Sequence, residues 1–359
     1  MNERIDTALA LSMLSYFPDL SHGGYRDLGE FLDGYFAAAP GSRPETMFSG
    51  LCPDEENGVV RAMKKLRLCS RFRALRIVYD SLGSKRYNSF CAVDDESGTA
   101  YVVIGGNYRT GFYTSGSGET SSWCDNFLGA VQTVTAEQRD ILGFYDRALS
   151  CLDGERVILC GHSKGGNMAQ FITVMRGSPD ICLSFDGQGF SESFIRKYRR
   201  LINKRGGKII SFCPSASIVG ASLTPIPTAE RFTVRESPVR RGLLFSHIPA
   251  ALMDGDLHLR KVRRSGSGII PGLAGRLSVM AVRAAGVLPF VSAENGLLHI
   301  GKALQYAFKD DPERGMKELL CRDVFFLAAL LLPIFPAAFL TAAADWLCGE
   351  RQELENAAA

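Results

Sequence analysis

Apolar and polar positions along this chain switch between a helical period and a strand period. Ile5, Leu9 and Ser12-Met13 recur at helical spacing, and Ala8 and Leu11 widen the stripe. That predicts an amphipathic helix stopped by Pro18. Tyr25 to Phe36 predicts a second short helix, followed by a loop through Ala39-Pro40-Gly41. Asn57 to Leu75 reads as helical and carries Lys64, Lys65, Arg67, Arg71 and Arg73, a solvated face rather than an anion-binding surface. The period then shortens. Arg76 to Tyr79, Tyr87 to Val93 and Thr99 to Ile104 predict strands, with Asp94 to Gly98 as a hairpin turn. Tyr108 to Ser122, rich in Gly, Ser and Thr, predicts an exposed loop closed by Trp123 to Phe127.

Helical spacing returns at Ile141, Leu142, Tyr145 and Leu149, with Thr135 and Gln138 set as a capping box. Val157 to Cys160 is a continuous apolar run, short enough for a strand buried on both faces. Ile181 to Phe185, Lys208 to Cys213 and Glu230 to Arg235 predict further strands, and Ser193 to Lys204 a helix. Strands alternating with helices predict an α/β fold, a mostly parallel sheet flanked by helices.

The densest signal is Arg156 to Gln170, RVILCGHSKGGNMAQ. A strand, then G-x-S-x-G at Gly161 to Gly165, then a helix is the layout of a nucleophile elbow. Such a turn lifts the Ser163 hydroxyl above the sheet and aims the first helix amides, Lys164 foremost, at whatever bonds to the serine oxygen. The competing reading is a phosphate-binding or purely structural βα turn. Gly105-Gly106-Asn107 ends a strand about one βα unit earlier, where α/β-hydrolases put the other half of an oxyanion hole. Close backbone approach accounts for paired glycines there, as would a plain Gly-Gly turn.

Composition narrows the picture. The 359 residues can bury a sizeable core. A net charge of +3 gives no argument for a nucleic-acid partner. The ten cysteines contain no C-x-x-C pair, and Cys160, Cys182 and Cys213 lie in or beside apolar runs. They read as buried thiols in a reducing compartment, without a structural zinc site. No cofactor or metal is expected. The start, MNERIDTALALSMLSYF, is not a convincing signal peptide, so a cytoplasmic location is expected.

A serine hydroxyl needs a base within hydrogen-bond reach. The five histidines are His22, His162, His247, His258 and His299. The fold's chain order is serine, acid, histidine. His22 precedes the sheet, His162 adjoins Ser163 and reads as structural, and His299 lies in a distal helical segment. His247 and His258 remain. For the acid, Asp186 sits at the carboxyl end of the strand after the elbow strand, with Gly187 permitting a sharp turn. An aspartate capping its own turn is the competing reading, and Glu236 is the reserve.

Together these residues resemble the class 3 lipase group of α/β-hydrolases, in particular its uncharacterised bacterial branch. The resemblance is carried by VVIGGN at Val102 to Asn107, the Trp123 to Phe127 segment, GHSKGGN at Gly161 to Asn167, FDGQGF at Phe185 to Phe190, SIVG at Ser217 to Gly220, and SHIPAALMDGD at Ser246 to Asp256. It covers roughly residues 75 to 260. The resemblance implies Ser163 as nucleophile, His247 as base, and Asn107 in the place of the family's oxyanion-hole threonine, with Gly105 replacing its arginine. Two departures stand out. Lys164 replaces an apolar residue, and the D-x-V segment that supplies the family's acid reads Ser215 to Val219, with no carboxylate.

The C-terminal third changes character. Arg260 to Arg264 runs into Ser265-Gly266-Ser267-Gly268, a linker composition. From Ile269 the segment to Val291 is apolar apart from Arg276 and Arg283, and suits a lid, an interfacial helix or ordinary core. Val324 to Ala344 carries no charge, enough to cross about 30 Å of hydrocarbon, though Pro333 and Pro336 would kink it. A pair of short buried helices is the alternative. The expected organisation is a helical segment over 1–75, an α/β-hydrolase core over 76–260 and a hydrophobic helical region over 261–359 with candidate membrane segment 324–344. The expected activity is a serine esterase or lipase-like hydrolase in lipid metabolism, acting on lipid or other acyl esters through Ser163, His247 and Asp186. Asn107 and Lys164 would form the oxyanion hole. The alternative is a catalytically silent hydrolase-fold scaffold at a membrane.

Overall fold

The computed structural model describes residues 2–17, 20, 23–39, 58–81, 87–107, 113–115, 118–214, 217, 219–235, 247–264, 292–307, 312–320 and 324. The centre is an eight-stranded sheet. Its strands are β1 (Arg76–Asp80), β2 (Ser89–Asp94), β3 (Thr99–Ile104), β6 (Arg156–His162), β7 (Ile181–Phe185), β8 (Ile209–Pro214), β9 (Glu230–Val234) and β10 (Val262–Arg264), in that order across the sheet. Neighbours from β3 to β9 are parallel, and the β1-β2-β3 and β9-β10 margins are antiparallel. The sheet is therefore mixed, with the parallel part in the middle, where strands must be covered on both faces. β4 (Tyr113–Ser115) and β5 (Gly118–Thr120) form a separate hairpin inside the segment expected to be a loop. β10 lies where a linker was expected; three exposed residues, two of them arginines, carry no strand period to read.

Parallel strands that succeed one another in one direction, joined by right-handed connections, put every crossover helix on the same face. α6 (Ala136–Ser150), α7 (Lys164–Arg176), α8 (Glu192–Lys197) and α9 (Arg199–Arg205) accordingly share one apolar cluster with Val102, Ile104, Val157 and Leu159. The alternate residues Tyr101, Val103, Ile158 and Cys160 point the other way. They are covered by α1 (Asn2–Leu14), α2 (Leu28–Ala37) and α3 (Gly58–Leu68). A four-residue turn of helix, α4 (Ser70–Arg73), follows α3 after a break at Cys69.

α1 differs from the amphipathic expectation. From Ala8 onward it is buried on every side, Ala10, Leu11 and Leu14 included. It packs on β3, β6 and β7 and also against the turn Pro249–Leu252, so no face is left to water. Each fully buried leucine here stabilises the fold by roughly 1.5–3 kcal/mol. The expected helix over Ser193 to Lys204 is α8 and α9, separated at Tyr198, whose backbone leaves helical geometry at φ −103°, ψ 17°. The Thr135/Gln138 capping box is present in both directions.

Three further helices follow the pattern of the chain. α5 (Ser122–Leu128) is capped by Ser121. α10 (Ala293–Ala307) packs against α5 and against α11 (Pro312–Leu319). Cys160 and Cys182 are buried free thiols, and burial pushes both pKa values up to about 12. Cys213 is half-buried. The segment 269–291 and, apart from Val324, the segment 324–344 lie outside the described residues. Among the described residues no helix is long and apolar enough to cross a membrane.

Candidate active site

Between β6 and α7 the chain reverses on Ser163, at φ 58° and ψ −125°, a conformation that costs a non-glycine residue of order 1–3 kcal/mol. Two backbone bonds hold it there. The Ser163 amide donates to the Phe185 carbonyl at 2.9 Å, and Asn167 donates to the Ser163 carbonyl at 3.1 Å. Only glycine fits on either side. A Cβ on Gly161 would lie 2.5 Å from the Gly165 carbonyl carbon, and one on Gly165 would lie 2.1 Å from the Ile104 oxygen. Turn and helix together therefore press Ser163 out from the carboxyl end of β6.

His247 arrives from a segment 84 residues further along the chain. Its Nε2 lies 2.9 Å from Ser163 Oγ and its Nδ1 2.6 Å from Asp186 Oδ2. Asp186, fully buried at the end of β7, also takes a positive φ of 49°, fixed by its amide donating to the Phe212 carbonyl at 2.7 Å. Its other oxygen accepts from the Gly220 amide at 3.1 Å. The SIVG segment, which has no carboxylate of its own, thus supplies a donor to one. A Cβ on Gly220 would fall 2.3 Å from that oxygen. Of the two acid candidates, Asp186 is therefore the one that touches His247, with Gly220 donating to its other oxygen. Glu236 and His22 lie outside the described residues.

Among the described residues, His258 and His299 stand elsewhere. His258 pairs with Asp6 on the surface at 2.9 Å, and His299 with Glu318 on α11 at 2.5 Å. His162 is buried next to the site, its ring 4.7 Å from that of His247. Burial, then the charge of His247, holds its pKa well below the ordinary histidine value. Its Nδ1 meets the Tyr16 hydroxyl at 2.7 Å. Tyr16 also hydrogen-bonds the Ser163 side chain, and burial pushes its pKa up. Tyr16 is a site neighbour that sequence reasoning missed. It follows α1 by two residues and carries no motif. His162, Asp186 and His247 bring potential ligand atoms within 4.8 Å of one another, but both His247 nitrogens and His162 Nδ1 already have the partners just described.

Gly105 and Gly106 pass close to their neighbours; Cβ atoms there would lie 1.8 Å from the Asn88 oxygen and 2.2 Å from the Tyr16 hydroxyl. Asn107 follows, buried, with Oδ1 accepting from the Ser122 hydroxyl at 2.9 Å. Lys164 is 3% exposed, and its ammonium lies 2.5 Å from Glu137 and 3.5 Å from Asp125. Asn167, the last residue of GHSKGGN, accepts from Gln138 at 2.8 Å and donates to the Gln188 and Gly189 carbonyls, tying α6, α7 and the loop after β7 together.

Sheet order, elbow and the hydrogen-bonded Ser163, His247 and Asp186 define an α/β-hydrolase-fold chain. Residues 99–244 match the family model described as Mbeg1-like, a stretch that holds β3, the elbow and Asp186 and stops short of His247. By sequence, no curated protein matches the chain. Among solved structures, the native Rhizomucor miehei lipase propeptide complex is 13% identical with a TM-score of 0.37, over 72% of this chain and 81% of that one. Lipase II from Rhizopus niveus is 13% identical, TM-score 0.38, over 72% and 95%. A lipase from Yarrowia lipolytica is 10% identical, TM-score 0.35, over 77% and 91%. The topology and the elbow, rather than these distant likenesses, define the fold.

Proposed function

We propose that the chain is a serine hydrolase that cleaves carboxylic esters, lipid or other acyl esters, through an acyl-enzyme. The observation that carries this reading is one imidazole hydrogen-bonded at once to a strained, elbow-mounted serine and to a buried aspartate. Ser163 Oγ attacks the ester carbonyl as His247 Nε2 takes its proton. Asp186 holds the Nδ1–H and so selects the tautomer that leaves Nε2 basic. The Lys164 and Asn107 N–H groups stabilise the oxyanion. The alcohol leaves with the proton from His247. Water, deprotonated by the same ring, attacks the acyl-enzyme, and the carboxylic acid departs as Ser163 recovers its proton.

The test is labelling by a fluorophosphonate probe. The wild type is expected to be labelled and Ser163→Ala not. A folded wild type that stays unlabelled would point to a silent scaffold instead. The reading includes a cytoplasmic location and association with a membrane through 324–344, supported by the uncharged run of that segment.

A further inference from the structure

Lys164 is the residue after the proposed nucleophile, and its side chain has no role in acyl transfer as written above. It is nonetheless buried, as are Glu137, Asp125, Ser122 and Asn107. An ammonium group can only donate. Lys164 Nζ donates to the Ser122 carbonyl at 2.6 Å, to the Ser122 hydroxyl oxygen at 3.2 Å and to Glu137 at 2.5 Å. Because the Ser122 oxygen accepts from Lys164, its own proton is directed onward. The nearer acceptor is Asn107 Oδ1 at 2.9 Å; Glu137 Oε2 is at 3.4 Å.

A carboxamide has an accepting end and a donating end. With Oδ1 held by the Ser122 hydroxyl, the Nδ2 end is the one left to donate. Asn107 sits on the loop that leaves β3 beside the elbow, since Ile104 pairs with Gly161 and a Cβ on Gly165 would lie 2.9 Å from Gly105. We infer that Lys164 and Ser122 form a directional relay that sets the orientation of the Asn107 carboxamide, so that it presents N–H rather than C=O to the oxyanion. Lys164 and Ser122 are then positioning residues, and Asn107 donates from its side chain as well as its backbone. Glu137 offsets the cost of burying the ammonium and holds it in place. The inference rests on the serine-hydrolase reading and adds to it a reason for the lysine at this position.

Without the Ser122 hydroxyl, nothing in this relay distinguishes the two ends of the carboxamide, and an inverted amide would place a carbonyl where negative charge develops. Removal of one oxyanion donor slows turnover by about 10²–10³-fold. Ser122→Ala leaves Lys164 its bonds to the Ser122 carbonyl and Glu137, so no buried charge loses its partner. With p-nitrophenyl butyrate, Ser122→Ala is expected to lower kcat by about 10-fold or more, with KM little changed. Asn107→Ala is expected to lower kcat at least as far. The double variant should be no slower than Asn107→Ala alone, because Ser122 acts only through Asn107. A merely structural role would instead move KM and the melting temperature along with kcat.

The relay is overturned if Ser122→Ala keeps wild-type kcat, or if the two effects multiply. Lack of fluorophosphonate labelling in the wild type would overturn the hydrolase reading, and the relay with it. Labelled wild type with an unaffected Ser122→Ala would overturn the relay alone. Circular dichroism checks that each variant folds. Should Ser122→Ala not fold, Ser122→Cys, which keeps the size but weakens the donor, gives the same comparison.

Discussion

Two histidines in this protein feel opposite environments, and the difference sets a sign. His162 is buried against His247, and burial holds its pKa down. His258 is exposed, and its hydrogen bond to Asp6 raises its pKa above the ordinary value. Unfolded, a histidine titrates near about 6.5. The His258–Asp6 pair therefore contributes stability that is fully present below that value and is lost as pH rises through the higher folded one. His258→Gln should lower the urea midpoint more at about pH 5.5 than at about pH 9, with salt shrinking the difference because the pair is exposed. An equal loss at both pH values would show that His258 acts by packing. The meeting of Ser163, His247 and Asp186 was legible in the sequence because chain order and the small number of histidines restrict the choice; their chemical roles are the proposal. Tyr16 was not legible. Its contact with His162 spans 146 residues, and no local spacing encodes it.

At the scale of elements, one buried ammonium joins three helices. Lys164 begins α7, Asp125 and Ser122 lie on α5, and Glu137 lies in the first turn of α6. Asp125 is committed twice more, accepting from the Thr135 hydroxyl at 2.6 Å and the Glu137 amide at 3.1 Å. Breaking a buried ion pair on one side costs about 3–5 kcal/mol, because the remaining charge keeps its desolvation without its partner. Lys164→Met should lower unfolding stability by that order. Adding Glu137→Gln should restore part of it, since one of the two stranded carboxylates is removed. Urea unfolding of the three variants measures both steps; a double variant less stable than Lys164→Met would contradict the account. The sequence marked Lys164 as a departure from the lipase pattern but could not name its partners, which come from helices separated from it by 27 to 42 residues. α6, with its helical period and capping box, and β3 and β6, with their uninterrupted apolar runs, were legible. The breaks at Cys69 and Tyr198 were not, because neither proline nor glycine marks them.

Across the whole molecule, each face of the sheet has its own origin. The crossover helices cover one face as a consequence of strand order, and the N-terminal helices cover the other. The described C-terminal helix α10 adds no layer to the sheet. It packs on α5 so closely that a Cβ on Gly301 would lie 2.5 Å from Cys124 Cα. The helix that carries Ser122 and Asp125 is therefore also the one on which α10 packs. The apolar run 324–344 follows α10 and α11 in the chain. If that run enters a bilayer, the full-length chain should sediment with membranes and withstand a carbonate wash. A charge at its centre should then act on location rather than on folding. Ile334→Arg places an arginine mid-segment, where insertion costs about 3–4 kcal/mol more than with an apolar residue. It should move the protein towards the soluble fraction with its melting temperature unchanged. If the run instead folds back as two short buried helices broken at Pro333 and Pro336, wild type should be recovered soluble. The same substitution would then bury an unpaired charge and lower the melting temperature, so fractionation and melting of the two proteins separate the two arrangements.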